Sequence, residues 1–276
     1  MSIITISHEA FGDGRAVAER VAAILGHRCI SREVLVKANE RYGISEAKLF
    51  EVLEEKPHHW WEQWLESRAV YRTALQAALC ELAQEGNIVY HGRAGQEFFP
   101  GIRHVLNVFV DTPTESRIRQ VVMRKGLSQE AAGEYLQELD RIRARRLKEL
   151  FKIDWRDPTR YDVVISTAKT TVETAARMIA EISQREEYQP TAESLQALKD
   201  LTITARVNAV LMVSGLHISN LEIETRCGEV HVRGVILAEE VKEIVADRIR
   251  KIPGVTRVIT HFVVTPPEHY LYGDGR

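Results

Sequence analysis

Cysteine is scarce in this 276-residue chain: Cys29, Cys80 and Cys227 stand far apart, and none belongs to a C-x-x-C pair. That spacing excludes a zinc knuckle and a disulfide framework. It leaves small buried hydrophobes in a reducing compartment as their expected role. No stretch approaches the roughly 18 apolar residues of a membrane span. The opening Met1-Ser2-Ile3-Ile4-Thr5-Ile6 lacks the basic region and long apolar core of an export signal, so a cytoplasmic location is expected. An excess of either charge is also missing, with 37 Lys+Arg against 39 Asp+Glu. This balance excludes a protein that holds nucleic acid by bulk electrostatics, but not one that takes a small phosphorylated ligand.

What the chain does have is alternation. Ser2–Ser7 is a short β-branched run that reads as a buried strand, followed by a polar loop and a helix over about Arg15–Leu25. Ser31 and Ser45 read as helix N-caps. An Ala/Leu-rich helix over about Ser67–Glu85 ends at Gly86. Further strands are expected at Asn87–His91, Val105–Val110 and Tyr161–Ser166. Between them, Thr112-Pro113-Thr114-Glu115 has the form of a capping box, a long helix runs from Ser128 to about Phe151, and Thr170 caps the helix after the last strand. Strands alternating with helices imply an α/β fold, a parallel sheet covered by helices on both faces. Near Gln184 the character changes. Residues 186–198 read as a linker, and a smaller α+β unit in the order αββαβ follows over 199–265, with residues 266–276 as a tail. A first domain over 1–185 and a second over 199–265 suit the length.

Gly12-Asp13-Gly14-Arg15 stands between the first strand and its helix. Free backbone N–H groups and the positive end of a helix dipole suit a phosphate there, and glycine allows close approach; a plain structural turn is the alternative. The P-loop pattern GxxxxGK[ST] is not met. Glu9 stands five residues before Gly14, Arg15 replaces the lysine, and Ala16 stands where a metal-binding hydroxyl would be. Arg141, Arg143, Arg145, Arg146 and Lys148 crowd one helical stretch, which read alone is a solvated face. His58-His59-Trp60-Trp61 reads as packing, because adjacent helical residues face different ways. Asp111 reads as a cap or structural anion.

Read together, these segments resemble the bacterial cytidylate kinase-like family. Residues 3–18 are similar to its opening, which shows Ser-Arg-Glu-Phe-Gly-Ser-Gly-Gly-Arg. Ser31-Arg32-Glu33-Val34-Leu35 resembles its Asp-Arg-Glu-Ile-Leu element, and His91-Gly92-Arg93-Ala94 its Gly-Arg element. Asp140-x-x-Arg143, Asp154-Trp155-Arg156-Asp157-Pro158 and Tyr161–Thr167 resemble its lid and final strand. The resemblance implies a P-loop kinase-like fold and transfer of the ATP γ-phosphoryl group to a nucleoside monophosphate such as CMP or dCMP, with ATP and Mg2+ as cofactors. It assigns Gly12, Asp13, Gly14 and Arg15 to the donor phosphates and Arg32 and Arg93 to nucleotide or phosphate binding. Arg15, Arg143 and Arg146 become the catalytic charges, since phosphoryl transfer is mostly positioning and charge neutralisation.

The chain also departs from that pattern. Ala10-Phe11 sits in the loop with one glycine fewer, which narrows the space for phosphate. Ser31 replaces Asp, and His91 and Ala94 stand where acidic residues hold the acceptor sugar. A second expectation therefore stands beside the first: a nucleotide-sensing protein without catalysis. Residues 199–265 resemble a BON domain, on Asp200, the turn Cys227-Gly228 within Gly228-Glu229-Val230-His231-Val232-Arg233-Gly234-Val235, and Gly254-Val255-Thr256-Arg257-Val258. The resemblance implies a docking or regulatory module with a phospholipid or protein partner.

Overall fold

A computed structural model describes residues 2–43 and 61–265. Ser45, the His58–Trp60 run and the tail from 266 lie outside the described residues, as does the side chain of Trp61.

The first body is a five-stranded parallel sheet in the order β2-β3-β1-β4-β5. Its strands are β1 (Ile3–His8), β2 (Arg28–Ile30), β3 (Ile88–His91), β4 (Val105–Asp111) and β5 (Val163–Ser166). Its helices are α1 (Gly14–Leu25), α2 (Glu33–Tyr42), α3 (Trp61–Gln84), α4 (Thr114–Lys125), α5 (Gln129–Phe151) and α6 (Val172–Ser183). Successive side chains of a strand point to opposite faces, and the residues of β1 divide accordingly. Ile3 joins Ile30, Ile88 and the Ala/Leu face of α3. Ile4 and Ile6 join Val17 and Val21 of α1 and Ala176 and Ile179 of α6. Both faces are therefore covered, which is why these strands read as nearly continuous apolar runs. The chain winds from β1 toward β2 on one side and returns across β1 to β4 on the other. This reversal leaves a crevice at the carboxyl ends of β1, β3 and β4.

Several helix starts differ from the sequence reading. Thr112 caps no helix: α4 starts at Thr114 after Pro113, and the Thr112 hydroxyl instead accepts the Asp13 N–H at 3.0 Å. Thr171, not Thr170, caps α6, accepting from the Thr174 N–H. Ser31 donates its backbone N–H to Glu33 Oε2 at 2.7 Å, and its own side chain caps nothing. The three-residue β2 was too short to show as a pattern. Of the cysteines, Cys80 is buried, Cys29 is half-buried and Cys227 is exposed. Cys227 departs from the expected burial because it occupies a turn with φ 48°.

The second body contains α7 (Ala192–Val213), β6 (Ser219–Arg226), β7 (Glu229–Ile236), α8 (Glu240–Arg250) and β8 (Arg257–Val264), the αββαβ order expected. Cys227 and Gly228 both have positive φ, as a tight hairpin turn requires. Asp200 on α7 accepts both of their N–H groups, at 2.9 and 3.0 Å, which ties the hairpin to the helix.

The stretch read as a linker is packed structure. Glu186–Tyr188 is a 3-10 turn, and Thr191 and Ser194 form a reciprocal capping box that opens α7, so the second half of the expected linker is helix. Ser194 Oγ meets His104 Nδ1 at 2.9 Å, and Leu198 is 1% exposed in the core beneath α3. Further along, Gln84 donates to Thr202 (2.8 Å). The Arg206 guanidinium meets the buried carboxylate of Glu81 (2.8 Å), which also accepts from the Tyr42 hydroxyl (3.2 Å). One helix thus belongs to both hydrophobic cores: Leu198 faces the large sheet, and Ile203, Val207 and Leu211 face the small one. No helix among the described residues is long and apolar enough to cross a membrane.

Replacing Leu198 by Ala removes a fully buried side chain from a site that both bodies depend on. The expected loss is roughly 2–4 kcal/mol of unfolding free energy in a denaturant titration. A loss below about 0.5 kcal/mol, typical of a surface change, would contradict the packing described.

Candidate functional site

The crevice is built from chain ends. β1 delivers His8, the end of β3 delivers Gly92 and Arg93, and α5 delivers Arg143. The segment after α5 delivers Trp155 and Tyr161, and together with Ser7, Ala94 and Leu147 these residues line one cavity. Glycine is needed at two points. A Cβ on Gly92 would stand 2.4 Å from the Tyr90 hydroxyl, and one on Gly14 would stand 2.2 Å from Cβ of His8. The start of α1 therefore lies flush against the His8 side chain.

The loop from Glu9 to Gly14 is anchored on every side. Glu9 is 4% exposed, and its Oε2 accepts the Thr112 N–H at 3.0 Å. Burial pushes its carboxyl pKa up, while the Thr112 N–H and Arg117 pull the other way. Arg117 is 2% exposed. Its Nε donates to the Ala10 carbonyl (2.8 Å), and its two terminal nitrogens grip Asp140 on α5 (2.9 and 2.7 Å). Arg156 adds a third contact to Asp140 at 3.0 Å. Phe11 does not narrow the loop as its bulk suggested. With φ 59°, its ring is turned away to meet Tyr135 edge-on at 6.0 Å, in the apolar cluster between α4 and α5.

His8 is the residue that the sequence reading missed. Its Nδ1 lies 2.9 Å from the Glu9 carbonyl, which can only accept, so Nδ1 carries the proton. Nε2 is then a lone-pair acceptor; it is buried and has no hydrogen-bond partner among the described residues. Burial lowers the His8 pKa to about 4, with His91, Arg143 and Arg93 acting in the same direction, so the imidazole is neutral at pH 7. On the opposite wall, Tyr161 stacks on Phe109 (5.2 Å) and donates to the Trp155 carbonyl at 2.6 Å, and Trp155 meets Phe109 edge-on. These rings form a rigid apolar side facing a cationic one.

The candidate residues divide accordingly. Arg93 and Arg143 converge on the cavity, and both act electrostatically on His8. Gly12, Asp13 and Gly14 form the turn into α1, with Gly12 packed against Thr112 and the Asp13 N–H already bonded to it. Arg15 turns outward: its guanidinium pairs with Glu19 at 2.8 Å, and its side chain is 74% exposed. Arg32 is exposed at the start of α2, at the same sheet edge but beyond β3. Arg146 is buried beside Leu147 and does not line the cavity. The basic run on α5 is thus no single face, since Arg141 pairs with Glu138 in solvent. No group of three His, Cys, Asp or Glu able to hold a metal occurs among the described residues.

Comparison with known proteins gives two family matches: the cytidylate kinase-like family over residues 3–169 and the BON domain over residues 199–266. A cytidylate kinase of Methanocaldococcus jannaschii is 33% identical over 95 residues, 34% of this chain and 53% of that protein, so the chain spans about half of that relative's length. A cytidylate kinase of Ignicoccus hospitalis is 27% identical over 184 residues, 65% of this chain and 99% of that protein. A crystal structure of an uncharacterized protein from Eubacterium ventriosum shares the fold over 66% of this chain and 97% of its own, with 20% identity and a TM-score of 0.50.

Changing Asp140 to Asn leaves the buried Arg117 guanidinium without its counter-charge. The expected cost is about 3 kcal/mol of stability in a denaturant titration. A change indistinguishable from zero would show that the loop does not depend on this pair.

Proposed function

The chain belongs to the cytidylate kinase-like family, and from that premise we propose that it transfers the γ-phosphoryl group of ATP to a nucleoside monophosphate, CMP or dCMP in the first instance. The observation that carries this reading is the convergence of Arg93 and Arg143, from two distant parts of the sequence, on one cavity at the carboxyl edge of the sheet. Two arginines lining one partly open cavity suit a phosphate bound bidentately, and the transition state of phosphoryl transfer needs that positive charge. Arg93 holds the acceptor phosphate, and Arg143 on α5 neutralises the group in transfer. Trp155 and Tyr161 offer an apolar wall to the rest of the acceptor. The donor phosphates meet the Gly12–Gly14 turn at the start of α1, since the first N–H groups of a helix have no partner within it. Arg15 joins them by leaving Glu19, a fully exposed i,i+4 pair of the kind that holds weakly. Arg146 supports the lid from within rather than touching substrate, and Arg32 contributes from the edge of the acceptor side.

Among the described residues no group of three His, Cys, Asp or Glu could hold a metal; Mg2+ would arrive with the nucleotide and would supply charge neutralisation there. The BON module supplies docking to a phospholipid surface or a protein partner, in a chain that acts in the cytoplasm. A second reading is nucleotide binding without transfer, and the outward-turned Arg15 favours it.

A coupled ATP-consumption assay across CMP, dCMP, UMP and AMP is expected to give turnover with CMP or dCMP. Arg93→Met and Arg143→Met should each lower kcat/KM by roughly 10²–10³-fold. ATP binding by calorimetry with no turnover on any acceptor selects the second reading, and absence of nucleotide binding defeats both. Flotation of the full chain with anionic phospholipid vesicles is the expected result for the BON module; a chain that stays in the aqueous layer removes the lipid role.

A further inference from the structure

We propose that His8 is the third, proton-dependent ligand of the phosphate site formed by Arg93 and Arg143: a phosphate dianion binds there as His8 Nε2 takes up one proton from solvent. The inference rests on the proposed phosphate site and goes beyond it by adding a residue and a proton to the binding step.

The geometry leaves Nε2 one task. Nδ1–H is spent on the Glu9 carbonyl at 2.9 Å, the ring is clamped against Gly14, and Nε2 is buried with no hydrogen-bond partner among the described residues, on a side chain that lines the cavity. A buried acceptor of this kind needs a donor, and a fully ionised phosphate offers none. The mismatch disappears if Nε2 is protonated when the anion arrives. The proton comes from solvent, Nδ1–H keeps its bond to Glu9, and the new Nε2–H donates to a phosphate oxygen.

The charges around the ring set the direction. His91 on β3 lies 5.9 Å away between ring centroids, and Arg93 and Arg143 face it from β3 and α5. All three oppose protonation in the empty cavity, as burial does. From the remaining wall come the neutral Tyr161 and Trp155. Glu9 offers His8 its carbonyl, while its carboxylate is turned to the Thr112 N–H. An anion changes this balance. One negative charge about 4 Å away, at an effective dielectric near 20, raises proton affinity roughly a thousandfold, which brings a strongly acidic imidazolium back to the neutral range.

Sulfate is the suitable probe because its own charge is constant across the pH range. Its dissociation constant for the full chain, titrated by calorimetry, should weaken about tenfold per pH unit between about pH 5 and 7. Repeating the titration at pH 5.5 in two buffers of different ionisation enthalpy should give an uptake close to one proton per sulfate, a readout that requires no variant. His8→Gln should bind weakly with no pH slope, His8→Arg without a pH slope, and His91→Gln with the slope intact. A flat profile or zero proton uptake in the unaltered chain overturns the proposal. So does a slope that survives in His8→Gln or disappears in His91→Gln. Sulfate binding that is absent altogether, or unaffected by Arg93→Met, instead overturns the phosphate site on which the inference rests.

Discussion

The guanidinium of Arg117 holds the site together. It is buried to 2% exposure, and it joins the Ala10 carbonyl of the glycine loop to Asp140 of α5. A buried ion pair of this kind adds little net stability compared with an apolar pair of equal volume, because both partners lose their hydration. Its effect is on position. Once Arg117 and Asp140 are paired, α5 has a fixed depth and rotation relative to the loop, and Arg143, three residues beyond Asp140, is placed on the cavity side. Phe11 reinforces the arrangement with an apolar contact to the same helix. The loop, α5 and the cavity between them therefore form one mechanical unit.

A second constraint joins the small sheet to this unit. Because α7 contributes Leu198 to one core and Val207 to the other, neither body is complete without that helix. Glu81 makes the joint specific: it is a carboxylate 6% exposed between α3 and α7, held by Arg206 and Tyr42. α2 follows Arg32 and ends at Tyr42, against this contact. The small-sheet body is thus packed against the helices of the large one, through a helix that both cores share.

Much of this was legible in the residues. The apolar runs at Ile3–Ile6 and Val105–Val110 declared a sheet covered on both faces, and the turn and ending glycines declared the small domain. Arg93 and Arg143 were singled out because their motifs occur in order along the chain, and the structure brings both to one cavity. What stayed hidden depends on contacts between distant residues. The hydroxyl of Thr112 has the sequence form of a helix cap, yet it is used 99 residues away on Asp13. Arg117 looks like an ordinary charge on a helix surface until burial pairs it with Asp140. His8 lies at the end of an apolar strand, and only the structure shows its buried Nε2 and its place in the cavity lining. The stretch after Gln184 looked like a linker because capping residues are polar, and a polar helix start resembles a loop in one dimension.

The central claim is that Arg93, Arg143 and His8 surround the phosphate of an acceptor nucleotide. The most direct measurement is a crystal structure of the full chain with CMP and a non-hydrolysable ATP analogue. The CMP phosphate is expected within hydrogen-bonding distance of both guanidiniums and of His8 Nε2, with its base toward Trp155 and Tyr161. A CMP phosphate bound elsewhere, with the cavity empty, would contradict the account.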